Sequence, residues 1–306
     1  MYLIRLIRLP NLLLIAFAQC IVRFGLIAPF EADITLSSLG FSFIVLATVL
    51  IAAGGYIIND VYDINADKIN RPNTRVVGVH IKEQQAKLLY FVLTFSGVGL
   101  GFVLSNMIGI PLYFLYFLVT ALLLYIYARK LKRIGVIGNI LVSLLVGLSI
   151  IIVGIFELFP AMNTSNEYDQ MFVFYIIQQL AFFAFYMTLI RELVKDIQDI
   201  QGDHVARYKT LPILLGAART AKTTAILVLV LLTLVAWYVF SYLHDYKLAA
   251  ALILFGVVAP LGYVAMQLNE ATTAKHYKNI SLFLKVIMFI GVCIIPLISY
   301  MLQNAS

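Results

Sequence analysis

The 306-residue chain is 62% hydrophobic, has only 12% charged residues and carries a formal charge of +7. A soluble domain of this length carries roughly twice that charged fraction, so a water-soluble fold is excluded. The positive balance is not a nucleic-acid footprint, because nearly all the basic residues lie outside the long apolar runs, in the segments that flank them.

The first run, 11–30, follows Arg5 and Arg8. It is too long for a signal-peptide core, and no small-residue cleavage site follows it, so it reads as a membrane span. Spans two and three are expected at 38–59 and 88–106. From Leu88 to Ala128 there are 41 consecutive uncharged residues. At about 1.5 Å per residue that exceeds one crossing, and Gly109 and Pro111 divide it, giving a fourth span at 111–128. Residues 134–156, 170–190, 223–243 and 286–306 hold no charged side chain. Each is close to the ~20 residues that cross ~30 Å of hydrocarbon as a helix. The remaining spans are therefore placed at 135–156, 170–190, 223–243, 248–268 and 282–302. The expected fold is an all-α polytopic membrane protein, one domain over 1–306, with nine transmembrane helices.

The charges provide an independent check. Of the 22 basic residues, 20 fall at the N-terminus or in and beside the connections after spans two, four, six and eight. The opposite connections carry Glu31, Asp33, Glu157, Glu167, Asp169 and Asp245. The positive-inside rule then makes the N-terminus cytoplasmic and the C-terminus external. Arg23 lies inside span one, where a cation either serves function or reaches for the outer surface. Cys20 and Cys293 fall within spans and are expected to be buried free thiols. His80, His204, His244 and His276 are scattered, without metal-ligand spacing.

Two connections, 60–87 and 191–222, are long, and both lie on the basic side. They repeat one pattern, D-x-x-D-x-x-x-D, at Asp60, Asp63 and Asp67 and again at Asp196, Asp199 and Asp203, starting 136 residues apart. Offsets of three and four residues place three carboxylates on one face of a helix. Three like charges repel, more so beside a low-dielectric membrane, and a bound cation relieves that repulsion. Mg²⁺ suits the pattern, since it takes one or two carboxylates and completes its shell with phosphate oxygens. Lys68, Arg71, Arg75, Lys130, Lys132, Arg133, Arg207 and Lys209 are placed to hold phosphate directly. The repeat suggests two related halves packed about a central cavity. A diphosphate above an apolar cavity points to a lipid diphosphate as substrate, and the 21 Phe and 18 Tyr suit a tunnel for its tail. A transporter with an acidic site is the alternative of another class.

Asn59-Asp60-x-x-Asp63-x-x-x-Asp67 followed by Asn70-Arg71-Pro72, together with Asp196-x-x-Asp199-x-x-x-Asp203, resembles the two signatures of the UbiA superfamily of intramembrane prenyltransferases. The resemblance covers the whole chain. It implies that Asn59 and the six aspartates hold Mg²⁺ and a prenyl diphosphate. It places Arg71, Lys132 and Lys209 near the diphosphate, Tyr125 and Asn139 on the cavity wall, and Asn11 at the mouth. The run Arg191–Asp203 followed by Lys209-Thr210-Leu211-Pro212 is most similar to members that transfer geranylgeranyl to geranylgeranylglyceryl phosphate, although Gln198 and Gln201 stand where such members often carry acids. Aromatic acids of quinone synthesis are the competing acceptors within the family. The implied setting is a cell membrane, the inner (plasma) membrane of a bacterium or its equivalent, with membrane lipids around the chain and the site toward the cytoplasm.

Overall fold

The computed structural model describes residues 2–303. Among them nine helices are long and apolar enough to cross a membrane, and the molecule is an integral membrane protein. In chain order these are α1 (Leu9–Ile27), α2 (Ser38–Tyr62), α4 (Glu83–Met107), α5 (Pro111–Arg129), α6 (Ile137–Ala161), α7 (Glu167–Gln198), α9 (Ala217–Tyr242), α10 (Lys247–Glu270) and α11 (Ala274–Gln303). Two short helices, α3 (Ile64–Asn70) and α8 (Ile200–Val205), follow α2 and α7.

Every expected span is present, and most helices run beyond their apolar blocks. The extension that bears on the site is in α7, which continues eight residues past Ile190. Nothing in Arg191-Glu192-Leu193-Val194-Lys195 breaks a helix, and Lys195 pairs with Glu192 three residues earlier at 2.5 Å. The 191–222 connection is therefore largely helical, and its first charged residues stand on the wall of the bundle.

Small residues set the tightest helix contacts. The α2–α4 pair closes at Gly97, where an added Cβ would lie 2.9 Å from the Ala47 carbonyl oxygen. The α6–α7 pair closes at Gly147, 3.1 Å by the same measure from the Ala181 carbonyl oxygen. Close backbone approach of this kind replaces the hydrophobic drive that lipid cannot supply. Gly25 on α1 meets Pro296 on α11, so the first and last spans touch. Outward faces carry large exposed apolar side chains, such as Phe95, Leu112 and Phe255, as a lipid-facing surface requires.

At the end away from the aspartates, α1 winds as a π-helix over Ile21–Ile27. This turn directs Arg23 inward, so the side chain does not reach for the surface. Arg23 pairs with Glu157 of α6, donates to the Leu36 carbonyl oxygen at 2.8 Å and lies 4.7 Å from the Phe41 ring centre. Glu157 is fully buried and also accepts from the Leu36 amide at 3.1 Å. Assigning Glu157 to an external loop was thus incorrect. Both cysteines are free, but Cys293 is exposed on the bundle exterior and Cys20 is half-buried, so neither is a fully buried thiol.

Candidate functional site

The triplets do not lie on straight helices. Each parent helix stops at the middle aspartate, Asp63 with φ −94° and ψ 4° and Asp199 with φ −96° and ψ 8°, and a short helix restarts beyond it. Aspartate competes poorly as an interior helix residue, and near-zero ψ turns the chain while keeping the helical hydrogen bonds. Asp63 N–H still donates to the Asn59 carbonyl at 2.9 Å, and Asp199 N–H to the Lys195 carbonyl at 2.8 Å. The two halves adopt the same break, and α3 and α8 pack against each other.

Several contacts draw the triplets together. Arg71, just after the first triplet, lies 3.3 Å from Asp199 of the second and 3.9 Å from Asp67. The Gly202 amide donates to Asn70 Oδ1 at 2.8 Å. An added Cβ at Gly202 would strike the Asn70 amide, so any larger residue requires the Asn70 side chain to shift. Lys132 arrives from the α5–α6 connection and pairs with Asp63. Its loop is held by backbone bonds, Gly135 N–H to the Lys209 carbonyl at 2.7 Å and Lys209 N–H to the Arg133 carbonyl at 3.0 Å. Asp63 also accepts from Asn59 at 2.8 Å and from the Tyr208 hydroxyl at 3.1 Å.

This arrangement has a clear electrostatic signature. Burial pushes the Asp67 carboxyl up to about 6, with Arg71 opposing and Asp60 and Asp63 reinforcing the shift. Burial likewise pushes Asp203 up to about 7, against the pull of Lys132 and with the help of Asp199 and Asp63. Burial beside Asp63 raises Tyr208 to about 12. Burial disfavours the charge on Lys132, but Asp63 outweighs it and the ammonium is held charged. In both the Asp67 and the Asp203 carboxyl desolvation is the largest cause, and neighbouring carboxylates add to it. Asn59 Oδ1 is buried without a hydrogen-bond partner, an acceptor of the kind a hard cation seeks.

Below the triplets opens an apolar cavity lined by α1, α2, α5, α6, α7 and α11. Asp196, Asp199, Asp203, Asn59, Arg71 and Lys132 stand at its mouth. Leu145, Ile152 and Met288 line the interior. Along α7 the lining runs from Asp199 to Ala184, a depth of about 22 Å at 1.5 Å per residue. Asp60 and Asp67 face a smaller adjoining pocket with Arg5, Arg8, Arg71 and Arg75. Asn11 lines the main cavity, as expected, and accepts from Lys285 at 2.6 Å. Asn139 donates to Asp196 at 2.8 Å and so fixes a carboxylate.

Three expected positions are corrected. Lys68 is exposed, with only a 3.5 Å contact to Asn65, because it sits on the outer face of α3. The Lys209 side chain is exposed as well, and its part in the site is the backbone bridge. Tyr125 turns away from the cavity to meet the Tyr62 hydroxyl at 3.2 Å, while Tyr127 lines the cavity. Sequence reasoning also passed over Arg8, Arg191, Glu192, Lys195 and Lys285, which all line the cavity. The hint was available in the 3–4 spacing that carries Arg191, Glu192 and Lys195 onto the face of Asp196 and Asp199.

Two carboxylate clusters gathered over a greasy sleeve meet the needs of moving an isoprenoid from its diphosphate inside a bilayer, and the molecule is an intramembrane prenyltransferase. A model of the UbiA prenyltransferase family matches residues 24–290, and the chain belongs to that family. It is 34% identical over 248 residues to a digeranylgeranylglyceryl phosphate synthase of Saccharolobus solfataricus, covering 80% of this chain and 82% of the relative. Its fold resembles a solved digeranylgeranylglyceryl phosphate synthase (TM-score 0.63, 24% identity, 98% of each chain). It also resembles a UbiA homolog from Archaeoglobus fulgidus bound to DMAPP and Mg²⁺ (TM-score 0.62, 16% identity, 96% of this chain and 99% of that one).

Proposed function

We propose that this chain transfers a geranylgeranyl group from geranylgeranyl diphosphate to geranylgeranylglyceryl phosphate, forming an ether bond of a membrane lipid. The observation that carries the reading is that the second aspartate triplet lines the mouth of an apolar cavity, with the first triplet tied to it through Arg71, Asn70 and Tyr208. The lipid acceptor is favoured over an aromatic acid by the relatives the chain matches at 34% identity across most of their length.

The aspartates, Asn59 and the partnerless Asn59 Oδ1 make a hard-oxygen donor set suited to Mg²⁺. Among the described residues no three of these side chains already form a closed metal cage. When bound, Mg²⁺ supplies charge neutralisation for the departing diphosphate. The chain's own part is electrostatic and steric. Arg71 and Lys132 face the phosphate oxygens and strengthen as charge develops on them. The allylic C–O bond breaks, and both electrons leave with the diphosphate. The acceptor hydroxyl oxygen bonds to the allylic carbon and its proton is released. The apolar lining keeps bulk water from capturing the carbocation first.

Orientation follows from the charge distribution, which puts the N-terminus and the aspartate end on the cytoplasmic face of the cell membrane. The test offers purified enzyme labelled geranylgeranyl diphosphate with geranylgeranylglyceryl phosphate and, separately, with aromatic acids. Product of the mass of a digeranylgeranylglyceryl phosphate is expected. Product only with an aromatic acid would overturn the acceptor assignment.

A further inference from the structure

The cavity contains a second charged cluster that the aspartates do not account for. Arg191, Glu192 and Lys195 lie along one face of α7, Arg8 stands at the start of α1, and Lys285 approaches from α11. Arg191 is two helical turns, about 12 Å, deeper than Asp199. Arg8 is held by Asp60 at 2.8 Å. Burial works against its charge, and the carboxylates of Asp60 and Glu192, with Tyr56, outweigh it.

The remaining pairing is incomplete. Glu192 Oε1 serves both Lys195, at 2.5 Å, and Arg191, at 3.5 Å. Lys285 has a neutral partner, the Asn11 amide oxygen. Arg191 Nε is buried with no hydrogen-bond partner. None of the six aspartates forms an ion pair with Arg191, Lys195 or Lys285 among the described residues. Arg191, Lys195 and Lys285 thus line the cavity with Glu192 as the one carboxylate paired to any of them among the described residues. In a low-dielectric sleeve such an excess is relieved by an anion with several oxygens.

We infer that Arg191, Lys195 and Lys285 form a subsite for the phosphate monoester of the acceptor lipid, separate from the aspartate site for the prenyl diphosphate. The inference rests on the transfer to a phosphorylated glycerol ether proposed above. It adds the group that selects that acceptor class. A phosphate takes charge-assisted hydrogen bonds from the free Arg191 Nε and from the Lys285 ammonium, which a neutral alcohol does not offer oxygens to fill. The subsite also places the acceptor beside the diphosphate, with its tail in the apolar part of the sleeve.

The test compares purified parent with Lys285→Gln, Arg191→Gln and Arg191→Lys, using geranylgeranylglyceryl phosphate, its dephosphorylated alcohol and geranylgeranyl diphosphate. Each Gln variant is expected to raise KM for the phosphorylated acceptor by about ten-fold or more, the effect of losing a charge-assisted hydrogen bond. KM for geranylgeranyl diphosphate should stay near the parent value, which also reports that the variant is folded. Arg191→Lys should recover part of the loss. The parent should prefer the phosphorylated acceptor, and the Gln variants should narrow that preference. If the parent uses the phosphorylated acceptor but the Gln variants leave its KM unchanged, or raise both KM values alike, the subsite is refuted and the transfer reading stands. If the parent does not use the phosphorylated acceptor at all, both are refuted.

Discussion

Replacing Glu157 by Gln tests whether the Arg23 pair holds the fold or serves the chemistry. The Arg23 side chain is 5% exposed and that of Glu157 is 0% exposed. The variant keeps a hydrogen-bonding group beside the Leu36 amide but removes the negative charge. Arg23 is then left with the Leu36 carbonyl and the Phe41 ring as partners. Breaking a buried pair from one side costs about 3–5 kcal/mol. At roughly 2 °C per kcal/mol for a chain of this size, the melting midpoint should fall by about 6–10 °C. The double change Arg23→Met with Glu157→Leu should sit close to the parent, because it leaves no buried charge. Glu157 lies 18 residues along α6 from Asn139, about 27 Å, so kcat of the single variant should match the parent at a temperature where both are folded. Thermal unfolding in detergent and turnover at 25 °C are the two measurements. An unchanged midpoint, or a collapsed kcat in a folded variant, would refute the structural role.

Asp63→Ala and Asp199→Ala should each abolish turnover while membrane insertion is retained, checked by product formation and by yield in the membrane fraction. Near-parent activity in either would contradict the assigned roles. EDTA should stop the reaction, and added Mg²⁺ should restore it. Since burial holds Asp67 near 6 and Asp203 near 7, both must release protons to take a cation. Mg²⁺ affinity should therefore weaken as pH falls from 8 to 6, by up to about ten-fold per unit for each proton displaced, and a titration giving one affinity at both pH values would count against it. Gly202→Ala should lower affinity for the diphosphate by forcing Asn70 aside, at a cost of about 1–3 kcal/mol of overpacking. Binding of inorganic diphosphate with Mg²⁺ reads this out, and parent affinity would show that the contact does not matter.

The nine spans were legible because hydrocarbon imposes a length that few soluble segments imitate. The aspartates were legible because a repeated triplet is hard to arrange without purpose. The breaks at Asp63 and Asp199 were not, since offsets of three and four fit a continuous helix equally well. Tyr125 and Tyr127 are two positions apart on a helix that is apolar all round, so sequence does not say which one looks inward. Lys68 and Lys209 were misjudged because a basic residue near an acidic motif reads the same whether it faces the site or water. Arg23 and Glu157 are 134 positions apart, and only packing reveals that they meet. Arg191, Lys195 and Lys285 resembled ordinary polar helix ends until α7 and α11 brought them around one space.

The turning points of the two broken helices are themselves two of the aspartates proposed to hold the metal. Position 63 and position 199 set the direction of the backbone and present a carboxylate at once. A side chain that preserves the charge but prefers a straight helix, as Glu does, would still disturb the path that folds the third aspartate back over the opening. Charge conservation alone is therefore a poor guide to which exchanges these two positions tolerate, whereas Asp60 and Asp196, set within regular helix, answer to chemistry without that second duty.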